Sequence, residues 1–136
     1  MLRATKVWGD RVLATDDRLD YTLFSVQDFD TIGRFGYLQL DVRAPRAGEE
    51  LYIPQHPGGE PTQIARGGNC AVADPSYWGY DRGTDLSYYC DTEGGSSGSP
   101  VLSRSSDRVI GLHHFGGCPN SGVRIDQIYE QVGNLL

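Results

Sequence analysis

Glu93-Gly94-Gly95-Ser96-Ser97-Gly98-Ser99-Pro100 lies between two β-forming runs, Leu86-Ser87-Tyr88-Tyr89-Cys90 before it and Val101-Leu102 after it. Glycines on both sides of the serines open φ/ψ values closed to other residues and leave room for a substrate carbonyl. A loop built this way can aim successive backbone N–H groups at one point, which is how acyl-transfer enzymes stabilise an oxyanion. The competing reading is a Gly/Ser linker. The stretch is short, ends in Pro100 and is flanked by strands, so a nucleophile loop fits better.

Gly95-Ser96-Ser97-Gly98-Ser99-Pro100 resembles the Gly-x-Ser-Gly-Ser-Pro signature of bacterial trypsin-like serine proteases, the chymotrypsin-fold group that includes lysyl and glutamyl endopeptidases. The resemblance implies a nucleophile at Ser97 and oxyanion donors at the N–H groups of Gly95 and Ser97. Upstream, Leu19-Asp20-Tyr21-Thr22-Leu23-Phe24 looks like the segment that carries that family's triad aspartate, at Asp20. Downstream, Val109-Ile110-Gly111-Leu112-His113-His114-Phe115-Gly116-Gly117 looks like the strand and bend that wall the specificity pocket, and Val123-Arg124-Ile125-Asp126 leads into a C-terminal helix.

The family's histidine belongs to a segment N-terminal to the aspartate, and the only histidines here, His56, His113 and His114, all follow Asp20. The chain therefore reads as the C-terminal portion of a protease that begins late in a first barrel. Residues 1–26 are expected to be remnant strands of that truncated barrel carrying the triad aspartate. Residues 27–136 are expected to form the second barrel with the nucleophile loop and the helix. Without an imidazole to take the Ser97 proton, most of the rate disappears, so the parent reads as a serine endopeptidase and this chain alone as nearly inert. A non-catalytic homologue that binds peptide or protein is the alternative. The order Asp20, His56, Ser97 imitates subtilisin, but His56 sits in a Pro/Gly turn and the chain lacks alternating helix patterns.

The expected architecture is all-β: an antiparallel six-stranded barrel closed by the C-terminal helix. Gly 18, Pro 7 and Tyr 8 fit short strands joined by tight turns. Strand signals fall at 38–42, 50–53, 63–65, 87–90, 100–102 and 109–112. The last segment is helical in pattern, with Asp126 as a cap and Ile128, Val132 and Leu135 on one face. Gly94-Gly95-Ser96-Ser97-Gly98 also satisfies Gly-x-Ser-x-Gly, with Ser96 as nucleophile, but that motif must open a helix and here a strand follows.

A net charge of −6 disfavours nucleic acid as a partner, and the sequence holds no apolar run long enough to span a membrane. The reading calls for a peptide or protein substrate and for no cofactor and no metal. Leu23 and Phe24, stripped of half a barrel, invite self-association. The resemblance implies export, hence a secreted or periplasmic location, and a Cys70–Cys90 disulfide that leaves Cys118 over.

Two residues bear on specificity in opposite senses. Asp91, six positions before Ser97, stands where trypsin-like enzymes keep the aspartate that pairs with a substrate Lys or Arg. His113 stands where glutamyl endopeptidases present an imidazole to a substrate carboxylate, with Gly116 on the same wall. His113 and His114 should face opposite sides of their strand, His113 with Val109 and Gly111. The stretch 73–85 is expected to be a long loop whose Trp78 and Tyr80 pack on the barrel. Asp20 is expected to be a buried carboxylate, with Asp16 and Asp17 as solvated loop charges.

Overall fold

A computed structural model describes residues 3–136. A hairpin of β1 (Gly9–Asp16) and β2 (Tyr21–Val26) opens the chain, followed by a one-turn helix α1 (Phe29–Gly33). Then come β3 (Glu50–Gln55), β4 (Gln63–Tyr77), β5 (Asp85–Tyr88), β6 (Pro100–Ser103), β7 (Val109–Phe115), β8 (Asn120–Arg124) and the helix α2 (Ile125–Val132). The last six strands close an antiparallel barrel in the order β3-β4-β5-β8-β7-β6, sealed by pairing of β3 with β6. Closure removes the free strand edges that an open sheet would expose.

Alternation along the strands produces two cores. Inside the barrel lie Leu51, Ile53, Val72, Leu86, Tyr88, Val101 and Ile110, together with Cys70 and Cys90. Those two cysteines form a disulfide across a 20-residue separation. Outside it, Leu102, Val109 and Val123 pack against Leu19 and Tyr21 of the hairpin and Ile125, Ile128 and Val132 of α2. Each such buried aliphatic side chain contributes about 1.5–3 kcal/mol. The hairpin is therefore fastened to the barrel wall. Tyr21 Oη also donates to Gln131 Oε1 of α2 at 2.5 Å.

Several expectations need correction. Segment 38–42 forms only an isolated bridge, Leu40 with Val109, because it meets β7 through just two backbone bonds, Asp41 N–H to Val109 O and Val109 N–H to Gln39 O. Strand β8 was hidden by its polar sequence Asn-Ser-Gly-Val-Arg. Strand β4 runs on to Tyr77, so the loop is only 78–84; Trp78 is 63% exposed and does not pack on the barrel. The N-cap of α2 is Arg124, and Asp126 instead accepts from its guanidinium at 2.6 Å in the first turn. Leu135 is exposed beyond the helix end. Leu23 is covered by the outer core, whereas Phe24 stays 54% exposed. A bulge in β7, opposite the Val101–Leu102 step, turns Val109 outward while Gly111 and His113 face in, so Val109 does not share a face with His113.

The connection into β3 is pinned by charge. Arg43 binds both Asp41 and Glu49, and Ser103 Oγ donates to Glu49 Oε1 at 2.7 Å. Burial pushes the Glu49 carboxyl up, but hydrogen bonds from Arg43, Ser103 and the Arg46 N–H outweigh it and hold the group at about 2. Its folded value lies below the ordinary 4.5, so this stability is present above pH 4.5 and is lost as pH falls toward 2. Urea denaturation should show Glu49→Gln costing about 2 kcal/mol at pH 7 and almost nothing near pH 2. Equal losses at both pH values would remove Glu49 as the source.

Candidate active site

The serine loop leaves β5 and returns as β6, and three contacts hold it. Gly58 N–H donates to Gly94 O at 2.7 Å, Gly98 N–H to His113 O at 2.8 Å, and His113 N–H to Ser99 O at 2.9 Å. Gly95 has φ 98°, and a Cβ there would stand 3.0 Å from His56 O and 3.2 Å from Gly59 N. Only glycine lets the 56–59 turn press this closely against the loop. The N–H groups of Gly95 and Ser97 donate to no backbone acceptor among the described residues. Ser97 is exposed.

Ser96, the rival nucleophile, is fully buried with its Oγ 3.4 Å from Glu93 N, and the chain runs straight on into β6. A nucleophile elbow requires a helix there, so the α/β-hydrolase reading fails. His56 spends its ring on its own turn, with Nδ1 3.1 Å from Glu60 O and Nε2 3.4 Å from Thr62 Oγ1. Among the described residues no histidine bonds Ser97.

Strand β7 joins the remaining parts. Its backbone at His113 grips the serine loop, and its next side chain, His114, reaches Asp20 with Nδ1 3.1 Å from Oδ2. Asp20 thus flanks the same strand end as Ser97. It ends the β1–β2 turn at φ 52°, a left-handed conformation that Asp tolerates. Its side chain is 48% exposed, so the expected burial is not found. Asp16 is not an idle loop charge either: it accepts from Leu19 N–H at 2.8 Å and from Gln131 Nε2 at 2.9 Å.

His113 is buried at 2% exposure and its Nδ1 lies 2.6 Å from Tyr88 Oη. Burial, and the nearby Asp85 charge, push the Tyr88 phenol well up, so it keeps its proton and donates it. Nδ1 therefore accepts, and the ring proton sits on Nε2. Burial, reinforced by the neighbouring His114, pulls His113 down to about 4, so this imidazole is neutral at pH 7. Gly116 follows at the end of β7, in a turn held by Gly117 N–H donating to Asn120 Oδ1 at 2.9 Å and Asn120 Nδ2 donating to Cys90 O at 2.6 Å. These bonds set the His113–Gly116 wall beside the start of the serine loop.

Asp91 follows Cys90 at the start of the serine loop. Its carbonyl accepts from Gln55 Nε2 at 2.8 Å, and the residue lines a cavity of about 440 Å³ with Arg66 and Asn69. Cys118 is an exposed free thiol in the β7–β8 turn.

The family model for the trypsin-like peptidase domain matches residues 2–112. The chain belongs to the trypsin-like peptidase domain family. As a member of that family it resembles solved serine proteases in fold. It superimposes on Rv3671c from M. tuberculosis H37Rv, in an inactive form, with a TM-score of 0.63 at 16% identity, covering 91% of this chain and 62% of that one. The serine protease domain of the Sesbania Mosaic Virus polyprotein gives a TM-score of 0.58 at 18% identity, covering 99% and 66%. A secreted RxLR effector protein, number 73, of Plasmopara viticola is 40% identical over 115 residues, 82% of this chain and 28% of that protein. This trypsin-like chain thus spans about a quarter of that relative and under two thirds of those structures.

The sequence did not reveal Tyr88 and Asp85 as partners of the two histidines, or Ser121 as a second donor to Asp85. The His113-His114 doublet was visible, but its barrel partners lie on β5, which meets β7 only through β8.

Proposed function

We propose that this chain carries the nucleophile and specificity half of a serine endopeptidase, with Ser97 as nucleophile, Gly95 and Ser97 N–H as oxyanion donors and Asp20 as triad acid. On this reading residues 1–26 are the remainder of a first barrel, and the general base is a histidine supplied from outside the chain. The observation that carries it is the β7 junction, where one strand grips the serine loop at His113 and reaches Asp20 at His114. In the reaction, the base takes the Ser97 proton as Oγ attacks the scissile carbonyl, and the two N–H groups meet the oxyanion.

His113 decides the substrate preference. A neutral ring that donates from Nε2 suits an acceptor, so the pocket favours acidic or amide side chains at the residue before the scissile bond. Asp91 lines a cavity together with Arg66, a cation already present there, which weakens the basic alternative. The disulfide, and a relative described as secreted, support an exported protein.

Fluorophosphonate labelling tests the reading. The chain alone should not label appreciably. A form that includes the histidine-bearing segment should label at Ser97 and be protected better by Glu- than by Lys-containing peptides. Rapid labelling of the isolated chain would show that another base serves. No labelling in the completed form would favour a binding module instead.

A further inference from the structure

His114 touches two carboxylates at once. Its Nδ1 lies 3.1 Å from Asp20 Oδ2 and its Nε2 lies 2.6 Å from Asp85 Oδ2. A carboxylate only accepts, so each ring nitrogen must donate, and a ring that donates from both nitrogens is an imidazolium. Asp85 is fully buried and also accepts from Ser121 Oγ at 2.7 Å. A Cβ on Gly79 would collide with the Asp85 carboxylate, so the 78–84 loop closes over it through a glycine. The His114 side chain is 6% exposed, with the Tyr80 ring edge-on at 5.9 Å and Phe115 at 4.2 Å. Beyond Oδ2, Asp20 has no hydrogen bond to its side chain among the described residues.

We propose that His114 is the positioning residue of Asp20, an imidazolium that ties Oδ2 to the buried Asp85 and leaves Oδ1 as the acceptor for the catalytic imidazole. A carboxylate on a turn rotates freely unless something holds it. Asp85, anchored on β5, provides the fixed point, and His114 transmits it across the gap between barrel and hairpin. The clamp is also conditional on pH. A neutral imidazole has one N–H, and the shorter contact to buried Asp85 keeps it. Nδ1 then turns a lone pair toward Asp20, and the two repel.

The groups facing His114 are Asp20 from the hairpin turn, Asp85 with Tyr88 beyond it on β5, and His113 on its own strand; the exposed Arg18–Asp81 pair bridges the turn and the 78–84 loop at 3.5 Å. Burial lowers the ring, but the bonds to Asp85 and then Asp20 prevail and raise it above 6.5. The folded value exceeds the unfolded one, so the clamp is complete below pH 6.5 and is lost as pH rises through the raised value.

This proposal rests on Asp20 being the triad acid, and its test does not require turnover. In the ¹⁵N-histidine-labelled chain, both ring nitrogens of His114 should read as protonated at pH 6.5. The ¹³Cγ signal of Asp20 should shift at the same midpoint as the His114 ring. Asp20→Asn, on an exposed turn, should lower that midpoint by about half a unit or more. A His114 ring that is neutral at pH 6.5, or an Asp20 ¹³Cγ blind to its titration, overturns the clamp and leaves the peptidase reading intact. Failure of Ser97 to label in the completed protein overturns the peptidase reading and leaves the clamp.

Discussion

Asp20→Asn, in a polypeptide that joins this chain to its catalytic histidine, should leave the fold intact and lower kcat by about four orders of magnitude. The reason is chemical. An amide cannot accept the Nδ1–H of the catalytic imidazole in the way a carboxylate does, so the base adopts the wrong tautomer and cannot take the Ser97 proton. KM should move little, since Asp20 lies beside His114 and not on the His113 wall. Asp17→Asn is the control and should be nearly silent. Asp16→Asn is a poorer control, because Asp16 holds Leu19 N–H and Gln131 and its loss loosens the turn that presents Asp20. Steady-state kinetics with thermal melts separates these cases. An Asp20→Asn enzyme as active as the parent would remove Asp20 from the triad and much of the peptidase reading with it.

Replacing both Cys70 and Cys90 by alanine should destabilise the chain by about 3 kcal/mol, read as a lower denaturation midpoint. The bond closes a loop over a 20-residue separation and so restricts the unfolded chain. The two sulfurs also sit within the inner core beside Val72 and Leu86, so their removal leaves a void as well. Cys90 lies seven residues before Ser97, and its carbonyl holds Asn120. Loss of the bond should therefore loosen the turn after His113, held through Asn120, along with the barrel. Cys118→Ala should change stability by less than about 0.5 kcal/mol, since its thiol is exposed. A double variant with unchanged stability would show the disulfide to be incidental.

Much of the fold was legible because barrel strands follow local rules. Leu51 and Ile53 of β3, or Val101 and Leu102 of β6, declare extended structure through short apolar or alternating runs. Strand β8 was not legible, because Asn120, Ser121 and Gly122 are chosen for contacts and not for propensity. Ser121 serves Asp85, and a Cβ on Gly122 would press within 2.8 Å of Leu112 O. The same logic hid the cap of α2: Asp126 looks like a helix start, yet Arg124 claims it.

From the linear order of residues alone came the serine loop with its glycines and the all-β strand pattern, which rest on short-range chemistry: which φ/ψ values a residue permits, which side chains alternate, which spacing a loop needs. The Asp20 strand and the Cys70–Cys90 pair came from the resemblance to a known family, and the disulfide is present in the fold. Only the tertiary structure decided what the two histidines do. His113 and His114 are neighbours in sequence and alike in chemistry. Yet one faces Tyr88 and is held neutral, while the other bridges two carboxylates. That difference depends on partners 25 and 29 residues away on β5, and 94 residues away on the hairpin. Barrel closure and the packing of the hairpin on its outer face bring those groups within about 3 Å, where burial and neighbouring charge, and not the residue type, set the protonation state.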